Sequence, residues 1–271
     1  MILRRVIAHF KKQEWTAIAL DFVIVVVGVF VGLQVNNWNA KQADAQRGKV
    51  FVQRLIEDLS FDYQTRTSRL AYYDTVNDSA IRAIELLNAP IQDDRSLLVH
   101  TYRSTEIAYD AQTRATWDEI VSSGEIGLLP RAAVQDGLNL YYGVDLAEQA
   151  RGELSNSRLR THVRSVIPFH VQAAIRAGCS DIFGNDGRVL GFVEDCIIDV
   201  SDEDIAAAAN ILKSDDQLIP DLTLHIAALS GVRSNLKGDI FVIERSLELL
   251  KGEIAQDASH SDARISGDRR P

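Results

Sequence analysis

The sequence predicts an all-α protein: an N-terminal transmembrane helix that continues into a bundle of long helices, with a small irregular or hairpin insertion near residues 179–200. Three observations carry this expectation. One segment, Trp15 to Val35, is apolar enough and long enough to cross a bilayer. Downstream of it, apolar residues recur three or four apart over long stretches, the period of one helix face. Prolines number only five and aromatics only 7%, which suits helices better than a sandwich or barrel.

The membrane segment comes first. Its 21 residues cover about 30 Å as a helix, the thickness of the hydrocarbon core. No polar side chain interrupts Phe22 to Leu33, and Asp21 is the only charge in the segment. Arg4, Arg5, Lys11 and Lys12 precede it against a single Glu14, whereas Lys41, Arg47 and Lys49 lie well beyond Val35. That bias favours a cytoplasmic N-terminus, hence a signal anchor with the main domain outside the cytoplasm. A cleaved signal peptide is the competing reading. It fits poorly, because Gln34-Val35-Asn36-Asn37-Trp38-Asn39 puts bulky residues where cleavage needs small ones. The expected organisation is a basic tail at 1–14, the anchor at 15–35, an extracytoplasmic helical domain at 36–255 and a disordered tail at 256–271.

Within the anchor, Trp15 and Trp38 bracket the span as interfacial indoles do. Asp21 either snorkels to the nearby interface or contacts a partner helix inside the membrane. Gly28 and Gly32 form a GxxxG, whose missing side chains let a second helix approach closely. Spacing of this kind also arises by chance in a glycine-bearing anchor.

From Asn36 to Leu87 there is no proline and only Gly48, and Val52, Leu55, Ile56, Leu59, Tyr63, Leu70, Tyr73, Val76 and Ile84 trace one apolar stripe. A single long helix is expected, ending at Asn88-Ala89-Pro90. A second is expected from about Asp93 to Tyr109 and a third from Ala111 to Ser122, stopped at Gly124. Pro130 should open a long helix towards Val166, broken at Pro168 and resuming to Ala177. Asn185-Asp186-Gly187 is a tight-turn signal. Ser201 before Asp202, Glu203 and Asp204 reads as a helix cap with acids in the first turn. The last helix is expected from about Pro220 to Ile254.

Chemistry is harder to find. The net charge of −9 argues against a nucleic-acid partner. Five downstream histidines, at 100, 162, 170, 225 and 260, form no HExxH and no i, i+4 pair, so no metal site is expected. Adjacent acids such as Asp93-Asp94 and Asp215-Asp216 fit helix starts and solvated faces. Ser122-Ser123-Gly124 is not a nucleophile elbow, and Gly184-Asn185-Asp186-Gly187 lacks the lysine and context of a phosphate loop. No catalytic residue and no cofactor is predicted. Cys179 and Cys196 would form a disulfide in an oxidising compartment, which the orientation favours, or serve as small buried hydrophobes in a reducing one. Their spacing excludes a CxxC site.

Two stretches carry a resemblance. DFVIVVVGVFVGLQVNNWNAKQ, from Asp21, is similar to the opening of a family of bacterial single-pass membrane proteins of unknown function. Its hallmark is an acidic residue, a Val/Ile/Gly-rich span and an LQxNNWN box. Residues 115–143, ATWDEIVSSGEIGLLPRAAVQDGLNLYYG, resemble the family's second block, with a helix ending in Ser-Ser-Gly and another ending in Tyr-Tyr. Family members often carry glutamate where this chain has Asp21. The resemblance implies an inner-membrane protein with an extracytoplasmic helical domain and supplies no activity. The expected partners are therefore the lipid bilayer and a protein partner or second copy of the chain, with the domain acting as a scaffold or accessory subunit. A ligand-sensing module is the main alternative, and a membrane-tethered enzyme a weaker one.

Overall fold

The computed structural model describes the backbone of residues 15–194 and 196–267, and within it the side chains of residues 20, 22–146, 148–194 and 196–252. The fold is all-α with one two-stranded hairpin, as the sequence predicts. The basic residues before Trp15, and the side chains of Trp15 and Asp21, lie outside what is described.

Helix α1 spans Trp15–Leu87 without interruption. The chain divides into two compact units, residues 1–50 and residues 51–271. In the first unit, every described side chain from Phe22 to Val35 is exposed. This is one helix long and apolar enough to cross a membrane.

The second unit begins where α1 starts to bury its apolar stripe. Phe51, Val52, Leu55 and Leu59 join Trp117, Ile120, Leu138 and Tyr141 in one part of the core. Tyr72, Tyr73 and Val76 join Leu154, Phe192 and Leu229 in another. Ala80, Ala83 and Leu86 pack with Leu98, Val163, Ile175 and Leu212 in the third.

Local chemistry explains most helix ends. Helix α2 (Asp94–Arg103) starts with Asp93 accepting from the Ser96 N–H at 3.0 Å. It stops short of the expected Tyr109, because the Ser104 and Thr105 hydroxyls turn back onto the Thr101 and Tyr102 carbonyls at 2.7 Å. Helix α3 (Ala115–Ser123) starts four residues later than expected. Thr113 gives both its N–H and its hydroxyl to Asp62, which holds the preceding backbone out of the helix. Gly124, at φ 74°, supplies the left-handed residue that ends α3.

The long helix expected from Arg131 to Val166 is instead a series of short pieces: α4 (Arg131–Ala133), a π-helical turn (Val134–Leu138), α5 (Asn139–Gly143), α6 (Leu146–Ser155) and α7 (Arg158–Val166). Two of the breaks carry side-chain caps. Asp145 accepts from the Glu148 N–H at 3.0 Å and Ser157 from the Arg160 N–H at 3.2 Å. Both satisfy donors that a helix start leaves orphaned, so each new start is stabilised where a continuous helix would gain nothing. In the π-helical turn, Gly137 lies so close to Ser246 that any Cβ there would collide with its hydroxyl.

Pro168 precedes α8 (Phe169–Gly178), the expected break. Strands β1 (Asp181–Phe183) and β2 (Val189–Phe192) pair antiparallel, with Gly187 at φ 80° in the turn. Ser201 caps α9 (Asp202–Lys213) by accepting from the Asp204 N–H at 3.1 Å. Helix α10 (Leu218–Gly267) runs past Gln256, where composition suggested a disordered tail. No proline interrupts residues 253–267, and alanines at 255, 258 and 263 favour propagation.

Candidate functional site

A concave site in the second unit lies where α2, α8 and the hairpin meet. Its volume is about 250 Å³. Apolar walls come from Val99, Ile175 and Phe192, with Phe183 at the margin. Phe192 is seated by stacking on Tyr72, ring centroids 4.6 Å apart. Cys179 also lines the pocket and is bonded to Cys196. The disulfide closes a loop of sequence separation 17 that contains the whole hairpin. Gly178 is required beside it, since a Cβ there would meet the Ile197 carbonyl.

Charged side chains surround this pocket. The Arg103 guanidinium lies over the Phe192 ring at 4.7 Å and donates to the Val193 carbonyl at 3.1 Å. Behind it, Arg164 lies over Tyr102 at 4.4 Å, donates to the Tyr102 hydroxyl at 2.9 Å and pairs with Glu106 at 2.9 Å. Arg160 donates to the Thr105 carbonyl and stands 4.0 Å from the other Glu106 oxygen. Asp181 accepts from the Tyr72 hydroxyl at 3.2 Å. Burial, then the neighbouring Glu106 charge, pushes the Asp181 carboxyl above the usual range. Burial likewise pushes the Tyr72 hydroxyl far up, so it stays a donor at any physiological pH. Arg176 is exposed at the pocket and makes no hydrogen bond or ion pair among the described residues.

A second polar assembly is mostly buried in the core and reaches a smaller surface cavity at Arg69 and Asp110. Asp62, fully buried, accepts from the Thr113 N–H at 3.0 Å, the Thr113 hydroxyl at 2.7 Å and the Tyr141 hydroxyl at 2.6 Å. Arg66, also fully buried, stands 3.2 Å from Asp110 and 3.4 Å from Asp239, and Arg69 pairs with Asp110 as well. Burial raises the Asp239 carboxyl to about 6 and, together with Arg66, lowers Arg69 to about 10. With each carboxylate held by donors or cations, this layer acts as a cross-link between α1, the 110–113 segment and α10.

Sequence reasoning missed both assemblies. Their members are far apart in the chain, and single arginines and aspartates carry no spacing signal. The same holds for His162, which stands between Asp215 at 2.8 Å and Asp221 at 3.0 Å and ties α7 to the start of α10. Among the described residues, no cluster of three or more His, Cys, Asp and Glu side chains suits a metal ion.

Of the residues singled out in the anchor, Gly28, Gly32 and Trp38 are described. A Cβ on Gly28 or Gly32 would meet nothing within 4 Å, and Trp38 is exposed. Comparisons with family models, curated proteins and solved structures return no match to this chain.

Proposed function

We propose that this chain is a single-pass protein of the bacterial inner membrane, with its N-terminus in the cytoplasm and its helical domain in the periplasm. In this reading it belongs to the family suggested by the LQxNNWN box and serves as a scaffold or accessory subunit that works through protein contacts. The observation that carries it is the apolar run Phe22–Val35, in which every described side chain is exposed. Uncovered apolar surface of that extent is stable only in lipid or against a partner. The Cys179–Cys196 bond fits an oxidising compartment. Gly28, Gly32 and Asp21 are the natural contact points for a partner helix or a second copy, and no catalytic step is assigned to the domain.

C-terminal reporter fusions test the topology. A reporter active only in the periplasm should work, and one active only in the cytoplasm should not; the reverse result overturns the orientation. Crosslinking in membranes tests the contact role and should recover a reproducible partner or a dimer. A solitary monomer counts against it.

A second reading, a ligand-binding module, is favoured by one specific feature: the arginine-rich pocket walled by the disulfide-closed hairpin. Pockets between helices of a bundle suit small ligands.

A further inference from the structure

We infer that the pocket between α2, α8 and the hairpin is a binding site for a small organic anion, a carboxylate carried on an apolar body. This deepens the ligand-binding reading and does not depend on membrane topology, which the reporter fusions test separately.

Charge is the first argument. Two guanidinium groups, those of Arg103 and Arg176, line the pocket with two carboxylates, Glu106 and Asp181, and two more, Arg160 and Arg164, stand at Glu106 outside the lining. Glu106 is already taken by Arg164, with Arg160 beyond it. Asp181 is occupied by the Tyr72 hydroxyl. Two positive charges remain uncompensated by neighbouring acids. Arg176 is the best placed to meet a ligand, because it lines the pocket, is exposed and has no partner among the described residues. The Arg103 Nε is buried without a hydrogen-bond partner, although the same guanidinium donates through Nη2. The same guanidinium lines the pocket, so its positive charge stands close to whatever enters it.

The walls give the second argument. Val99, Ile175 and Phe192 are buried apolar surfaces, so a bare inorganic anion would leave the inner part of the pocket unfilled. Phe183 is 63% exposed at the margin, a large apolar ring that an apolar ligand body would cover. The volume of about 250 Å³ lies below the usual range of drug-sized sites, ~300–1,000 Å³, which sets a small ligand.

The test uses the full-length chain in lipid nanodiscs, with empty nanodiscs as blank, and 3-phenylpropionate as probe. Saturable binding is read by ligand-observed NMR titration up to about 10 mM, a range that captures weak sites. Phenylpropanol and phenylpropylamine, which share the body but lack the negative charge, should bind at least about tenfold more weakly. So should inorganic phosphate, which lacks the body. Arg176→Gln, an exposed change, should weaken phenylpropionate binding by about tenfold, the loss of one charge-assisted hydrogen bond. Phe183→Asp places a negative charge at the margin and should weaken it at least as much. Unchanged circular dichroism and melting temperature establish that both variants are folded. Absence of saturable binding, equal binding of the alcohol or amine, or indifference to both substitutions would overturn the assignment.

Discussion

Residues 22–35 and residues 51–87 belong to the same helix, yet they treat polarity in opposite ways. In the first stretch all side chains but Gln34 are apolar, and all are exposed. In the second most apolar side chains lie on one buried face, Phe61 and Ile81 being exposed, and that face includes the fully buried Asp62 and Arg66 and the nearly buried Arg69. Helical geometry is common to both, so the difference lies in what satisfies each face. A uniformly apolar helix needs an apolar surrounding on every side. A striped helix needs a partner on one side only, and it can bury charge if that partner supplies hydrogen bonds and counter-ions. Asp62 makes the contrast concrete: it is fully buried because Thr113 and Tyr141 supply its donors within the chain.

Perturbing the buried layer should have the largest effect. Asp62→Ala leaves the Thr113 N–H, the Thr113 hydroxyl and the Tyr141 hydroxyl without their acceptor, and should cost about 3–5 kcal/mol in urea unfolding. Asp62→Asn, which keeps one carbonyl acceptor, should cost less. If Asp62→Ala unfolds like the wild type, the layer is not a cross-link.

Replacing both cysteines by serine comes next. Opening a loop of sequence separation 17 should cost about 3 kcal/mol in the chain-entropy picture, seen as a lower midpoint that added reductant no longer changes.

Gly137→Ala should destabilise by about 1–3 kcal/mol, because the new methyl enters the space of the Ser246 hydroxyl. A double-mutant cycle with Ser246→Gly should reveal coupling of opposite sign to that cost.

Acidification has a smaller effect, to which raised carboxyls such as Asp239 and Asp181 and lowered imidazoles such as His225 and His100 contribute with opposite signs. Asp239, at about 6 in the folded chain against about 3.9 unfolded, binds its proton earlier when folded, so it adds stability of order 1 kcal/mol as pH falls from 7 to 5. His225, whose proton affinity is lowered by burial, removes stability as pH falls below about 6.5. Asp239→Asn should therefore make the chain lose more stability on going from pH 7 to 5 than the wild type does. An unaltered pH slope would remove Asp239 from the account.

The anchor glycines should matter least to folding. Gly28→Leu with Gly32→Leu should change domain stability by less than ~0.5 kcal/mol, since nothing among the described residues lies within 4 Å of a Cβ at either position. Loss of a membrane crosslink in the same variant would mark them as a contact surface.

Legibility in the sequence followed the same divide. The apolar run announces itself because its signal is local and uninterrupted. So do the Ser201 start of α9, the Gly187 turn and the break at Pro168, each set by neighbours in the chain. The splitting of residues 131–166 was also written locally, in Asp145 and Ser157, but apolar periodicity outweighed two lone caps. The Asp62 layer was not legible at all: Asp62 and Tyr141 stand 79 residues apart, and their pairing exists only once the helices have packed. The pocket is of the same kind. Arg103, Arg176 and Phe192 come from three elements, and no two of them share a spacing that implies a site.

The hairpin that walls the pocket has a consequence for how the cavity depends on its surroundings. Helices α2 and α8 are held by side-chain packing. The third wall is held by strand pairing and the Phe192–Tyr72 stack, and in addition by a covalent bond whose formation needs an oxidant from outside the molecule. The rigidity of the cavity is thereby tied to the redox state of the surroundings. Alkylation of the thiols after mild reduction of the folded protein would read that link directly.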